Sequence, residues 1–185
     1  MKAGVLALQG DFREHAAVLA ELGASPIEVR TPEDLARVDA LVIPGGESTT
    51  IAKLARSANL VEPVLRRARE GMPILGTCAG MIVMAARVEG GEPLLGLLDA
   101  TVRRNAYGRQ VDSFETDVEV EGVDHPVRAV FIRAPIVVEV GSGVRVLATH
   151  EGHPVVLEQG NLVAAAFHPE LVGETRLHEY VLRKV

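Results

Sequence analysis

A single cysteine, no tryptophan and an aromatic content of only 3% are the shortages that narrow this sequence most. One cysteine cannot close an internal disulfide, so nothing points to an exported, oxidised protein. No apolar run approaches the roughly 18 to 20 residues that a membrane-spanning helix needs, so no membrane association is expected. The start, Met1-Lys2-Ala3-Gly4-Val5-Leu6, lacks the layout of a signal peptide and runs straight into a strand-like stretch. Together these absences point to the cytoplasm. Basic runs interleaved with aromatics are also missing, and the net charge is −6, which argues against a nucleic-acid partner. Linkers, low-complexity tracts and repeats are absent too, so one domain over 1–185 is expected. Hydrophobic residues, by contrast, make up 48% of the 185, enough for a sizeable core.

Those hydrophobic residues fall in short runs. Val5-Leu6-Ala7-Leu8, Ala40-Leu41-Val42-Ile43 and Pro73-Ile74-Leu75 read as strands buried on both faces, with Ile27-Glu28-Val29 a shorter one. Helical patterns lie between them. Phe12, His15, Leu19 and Leu22 recur at helical spacing, with Gly23 as a stop. Ser48 or Thr49 is placed to cap a helix to about Ala58, and further helices are expected over 63–70 and 81–86. Strands alternating with helices at such intervals imply βαβ units, hence an α/β protein with a mostly parallel sheet. The second half changes character. Segments 114–120, 127–132, 144–150, 154–158 and 162–167 are strand-like and too closely spaced for helices, which predicts an antiparallel extension at one side of the sheet. A closing helix is expected over 174–185.

Gly76-Thr77-Cys78-Ala79-Gly80 lies where a strand gives way to an apolar helix, the context of a nucleophile elbow. So tight a turn needs minimal side chains two residues either side of the nucleophile, and Gly76 and Gly80 meet that demand. A helix N-terminus places partial positive charge near the sulfur, which favours thiolate. The Ala79 N–H then points toward an oxyanion formed by attack on a carbonyl. A lone cysteine is otherwise most often a small buried apolar residue. The flanking glycines in this context reverse that reading.

A thiol nucleophile needs an imidazole to take and return protons, and the imidazole needs an acceptor to fix its tautomer. Phe167-His168-Pro169-Glu170 offers both on one short turn, although a single histidine in a loop is more commonly just solvated. Five other histidines compete: His15, His125, His150, His153 and His178. His150 and His153 suggest a metal pair, but no cysteine or second cluster supports one, and no metal is expected. Pro44-Gly45-Gly46-Glu47-Ser48-Thr49-Thr50 joins a strand to a helix without P-loop spacing. Its glycines let backbone N–H groups approach a ligand, and Gly46 is a candidate second oxyanion donor. Read blandly, it is an ordinary βα turn. Arg104, in a polar stretch of an otherwise apolar chain, and Arg133, at the end of an apolar run, each suit two-pronged binding of a carboxylate, or simple solvation.

The motifs Pro44-Gly-Gly-Glu-Ser-Thr-Thr50, Gly76-Thr-Cys-Ala-Gly80, Arg104-Asn-Ala-Tyr-Gly-Arg-Gln110, Phe131-Ile-Arg-Ala-Pro135 and Phe167-His-Pro-Glu170, in that order, resemble class I, triad-type glutamine amidotransferases. The Arg104 and Arg133 motifs narrow the resemblance to the branch of glutaminase subunits that serve pyridoxal 5'-phosphate synthase. The resemblance implies the three-layer class I fold, with helices on both faces of the sheet. It implies Cys78 as nucleophile, His168 as acid/base and Glu170 as its orienter, with no metal or organic cofactor. L-glutamine contacts are implied for Gly46, Glu47, Ser48, Arg104, Ile132 and Arg133, an oxyanion hole at Gly46 and Ala79, and a synthase subunit as partner in a hetero-oligomer. Many class members carry Gln shortly after the elbow, where this chain has Met81-Ile82, so other residues must hold the substrate here. Gln9, ending the first strand, is placed to help set the Gly46 loop. Three other readings stay open: a cysteine hydrolase of another specificity, a subunit with a vestigial triad, and a glutaminase feeding a different synthase.

Overall fold

The computed structural model describes residues 1–104 and 113–185. Its first half runs β1 (Lys2–Leu6), α1 (Phe12–Glu21), β2 (Ser25–Val29), α2 (Pro32–Leu35), β3 (Ala40–Ile43), α3 (Ser48–Ser57), α4 (Val61–Arg69), β4 (Ile74–Thr77) and α5 (Ala79–Met84). The second half is mostly strand: β5 (Ala85–Glu89), β6 (Leu98–Arg103), β7 (Phe114–Val118), β8 (Val127–Phe131), β9 (Ile136–Val140), β10 (Arg145–His150), β11 (His153–Gln159) and β12 (Leu162–Ala165). A closing helix, α6 (Arg176–Leu182), follows.

Seven strands form the central sheet in the order β10-β11-β12-β4-β3-β1-β2. The five from β12 to β2 are parallel, and β10 and β11 add to β12 antiparallel. The expected extension at one side is therefore present. Val5, Leu41, Ile43, Ile74 and Leu75 are fully buried, as continuous apolar runs in a covered parallel sheet must be.

Two adjacent residues of β4 show that helices cover both faces, because neighbouring side chains in a strand point opposite ways. A Cβ on Gly76 would crowd Met84 of α5, whereas the Thr77 hydroxyl meets His15 of α1 at 3.0 Å. Helix α5, with α3 packed against it, thus lies on one face. Helices α1 and α6 lie on the other, joined by a 2.7 Å contact between His15 and His178.

Four expectations need correcting. Segments 114–120 and 127–132 do not extend the main sheet; β7 and β8 pair with each other as a separate hairpin. They satisfy each other's backbone along their whole lengths, and β8 meets the chain beyond β12 only through an isolated bridge, Val130 to His168. Strands β5, β6 and β9 form a further three-stranded sheet that the sequence did not announce. The cap of α3 is Glu47, whose longer side chain accepts from the N–H groups of both Thr49 and Thr50. Finally, α5 ends at Met84 because Ala85 is already extended and begins β5. Among the described residues, no helix is long and apolar enough to cross a membrane.

Candidate active site

Strands β12, β4, β3 and β1 are adjacent and parallel, so the segments leaving their carboxyl ends lie side by side. That edge of a parallel sheet is the usual place for ligands in open α/β folds. His168 follows β12, Cys78 follows β4, Gly45 and Gly46 follow β3, and Gln9 and Asp11 follow β1. A cavity of about 400 Å³ opens there. Cys78, Ala79, His168, Gly46, Glu47, Ser48, Arg104, Ile132 and Arg133 all line it, and so do Asp11, Ile82 and Leu171. Glu170 stands behind His168, buried.

Cys78 occupies the elbow in a strained conformation, φ 48° and ψ −105°. For a residue with a Cβ such backbone costs on the order of 1–3 kcal/mol, so the surroundings must impose it. They do. The Cys78 N–H donates to the Ala165 carbonyl at 2.8 Å, and its own carbonyl accepts from the N–H groups of Met81 and Ile82. A side chain at Gly80 would strike the Ile43 carbonyl, and one at Gly76 would meet the Gly80 carbonyl at 2.8 Å. The sulfur is nearly buried and lies 3.7 Å from the Ile132 carbonyl.

The His168 ring is also nearly buried. Its Nδ1 lies 2.8 Å from Glu170 Oε1 and 3.3 Å from Asp11 Oδ2. Burial works against its positive charge, but the hydrogen-bonding neighbours Asp11, Cys78 and Glu170 outweigh burial, and its pKa is pushed up to about 12. Burial likewise disfavours an ionised Glu170, yet His15 and His168 beside it hold its carboxyl well below the usual range. The pair is therefore an imidazolium against a carboxylate.

Glu47 anchors the far wall. The Thr50 hydroxyl, with the Thr49 and Thr50 N–H groups, outweighs burial and holds its carboxyl down to about 2. Arg104 reaches the same carboxylate at 3.1 Å. The Glu47 N–H donates to Gln9 Oε1 at 2.7 Å, so Gln9 does brace the Gly46 loop. A side chain at Gly46, where φ is 145°, would collide with Gln9. Arg133 is exposed, with φ 46°. The rest of the Arg104 motif, 105–110, lies outside the described residues.

The remaining histidines take other places. His150 stacks near Phe131 and Phe114 and faces His153 across the β10–β11 hairpin. Among the described residues, the one group of three side chains close enough to share a metal ion is Asp11, His168 and Glu170. These are the imidazole and its two carboxylate neighbours. Asp11 and His15 were not singled out as site residues, although each carried a signal. Asp11 sits in the break just beyond β1, and His15 is a polar residue on the apolar stripe of α1.

The sequence profile of the SNO glutamine amidotransferase family matches residues 5–185. The chain belongs to that family. A relative from Pelotomaculum thermopropionicum, described as pyridoxal 5'-phosphate synthase subunit PdxT, is 55% identical over 100% of this chain and 95% of its own. One so described from Mycolicibacterium vanbaalenii is 59% identical, covering 95% of this chain and 93% of its own. A solved structure described as a glutamine amidotransferase superposes with TM-score 0.93 at 51% identity, covering 98% of this chain and 97% of that one. The class I glutamine amidotransferase-like fold expected from the motifs is thus the fold observed. PurLQS of Thermotoga maritima, at 18% identity and TM-score 0.74, covering 99% of this chain and 95% of that one, shares the fold alone.

Proposed function

We propose that this chain is the glutaminase subunit of a pyridoxal 5'-phosphate synthase, a cytoplasmic single domain over 1–185 that releases ammonia from the side-chain amide of L-glutamine. The observation that carries this reading is a buried His168, held by Glu170 at 2.8 Å, that lines the same cavity of about 400 Å³ as Cys78. The full-length identity to relatives described as subunits of that synthase supports the choice of pathway.

Chemically, the Cys78 thiolate adds to the side-chain carbonyl carbon of glutamine, and the carbonyl π electrons move onto oxygen. The N–H groups of Ala79 and Gly46 receive that oxyanion. His168 donates its proton to the departing nitrogen, the C–N bond breaks, and ammonia leaves a thioester on Cys78. Water, deprotonated by His168, then adds to the thioester and releases glutamate and the thiolate. Glu170 holds the imidazole in register throughout. Gly46, Glu47, Ser48 and Ile132 shape the substrate pocket, the carboxylate of Glu47 being already engaged by α3 and Arg104. Arg104 and Arg133 supply positive charge for the substrate carboxylate.

Ammonia free in water is mostly protonated and no longer a nucleophile, so such a subunit works beside an acceptor enzyme. The partner in this reading is the synthase subunit, in a hetero-oligomer. Ammonia release from glutamine by the complex, measured for wild type and Cys78→Ala, tests the proposal. A loss of several orders of magnitude is expected, and undiminished release rules the triad out. Arg104→Met should weaken glutamine use far more than cleavage of an unrelated ester; equal effects would favour a general cysteine hydrolase.

A further inference from the structure

The triad does not end at Glu170. His15 on α1 is fully buried, as are Val18 and Leu19 beside it. An imidazole so placed is costly unless its nitrogens are matched, and both of them are. His15 Nδ1 lies 2.7 Å from His178 Nε2. His15 Nε2 lies 3.0 Å from the Thr77 hydroxyl and 3.4 Å from Glu170 Oε1. One ring therefore touches both the residue preceding the nucleophile and the carboxylate that orients the base.

Resting on the triad reading above, we propose that His15 is a positioning residue of the glutaminase reaction, steering Glu170 and the end of β4 and itself oriented by His178. The hydrogens follow from the contacts. A bare Nε2 on His15 would set its lone pair against the carboxylate oxygen, so Nε2 carries a hydrogen and donates toward Glu170 and Thr77. His178 Nε2 lies against His15 Nδ1, so one of these two nitrogens donates and the other accepts. Burial pushes the pKa of His178 down to about 3, consistent with a neutral ring. The titratable groups around Glu170 are His15 from α1 and His168 after β12. His178 from α6 stands one ring further back, and Asp11 reaches His168 from before α1.

Without His15 the Glu170 carboxylate keeps only His168 and protonates more readily, so the acid side of the rate profile moves to higher pH. The test uses the assembled complex with His15→Leu and His15→Gln, measuring kcat, KM and the pH dependence of ammonia release. His15→Leu should lower kcat by about 10–100-fold, the usual cost of losing an orienting partner. KM should change little, the acid limb should shift upward, and His15→Gln, which keeps a donor, should recover part of each. A merely structural role would lower the melting temperature and leave the acid limb in place. A folded His15→Leu complex with wild-type kcat and acid limb overturns the proposal. If Cys78→Ala keeps activity, it is the triad reading that fails. Should His15→Leu not fold, nitrogen NMR of the wild-type imidazoles decides: a protonated Nε2 on His15 supports the proposal, and a bare one overturns it.

Discussion

Glu170 illustrates how much one buried charge must be surrounded to stay charged. Its carboxylate is fully enclosed, and an isolated ion there would simply take up a proton. Two imidazoles prevent that, at 2.8 Å for His168 and 3.4 Å for His15. Glu170→Gln keeps the shape but removes the charge that holds His168 protonated and oriented. We expect kcat to fall by about 10³–10⁴-fold, as when a triad acid is neutralised elsewhere, with the glutamine KM little affected. Steady-state kinetics of the complex checks this, and a tenfold loss or less would move the orienting role to Asp11. Asp11 approaches the same Nδ1 at 3.3 Å but is only part-buried, so solvent screens it.

The elements explain why the elbow holds. Gly80, in the first turn of α5, lies against the end of β3, where the Ile43 carbonyl fills the space a Cβ would take. Gly80→Ala should therefore push α5 away from β3, costing about 1–3 kcal/mol by overpacking and disturbing the Cys78 geometry. Denaturant melts and activity measured together should fall together; retention of both would mean the turn has slack. Helix α6 carries a second expectation. The His178 pKa is pushed down to about 3, against about 6.5 in an unfolded chain. Between these values the unfolded state binds the extra proton, so stability falls as pH drops below about 6.5. The paired Glu170 adds the same sign only below the ordinary carboxylate range, about 4.3. His168, pushed up to about 12, is protonated in both states on the acid side, and its contribution is lost only as pH rises from about 6.5 toward 12. Melting temperatures between pH 7 and 5 should thus decline for wild type and decline less for His178→Phe. The slope at issue is at most about 1.4 kcal/mol per pH unit.

What the sequence disclosed and what it hid divide along the same line. Apolar runs such as Ala40–Ile43 announce buried parallel strands, and each catalytic candidate sits in a short local motif. Strand β5 was hidden because Ala85 and Ala86 continue the apolar pattern of α5, and its sheet is completed by β6 and, beyond that, β9, over a long stretch of chain. His15 and His178 are 163 positions apart, so no spacing rule joins them. Only packing does.

At the scale of the whole molecule, the site is half of a reaction. In the proposed reading the cavity takes L-glutamine, and the ammonia it frees is useful only to a second enzyme. We expect slow glutamine turnover by the isolated chain and faster turnover once the synthase subunit docks, if docking completes the setting of the Gly46 loop that Gln9 braces. Equal rates with and without the synthase would show that the loop is already set. The most direct test of the central claim is to trap the covalent intermediate. The complex should be mixed with glutamine, quenched in acid within the first turnover, digested and weighed by mass spectrometry. A γ-glutamyl thioester on the peptide containing Cys78, absent from Cys78→Ala, is the predicted result. Ammonia released at full rate with no adduct on that peptide would contradict it.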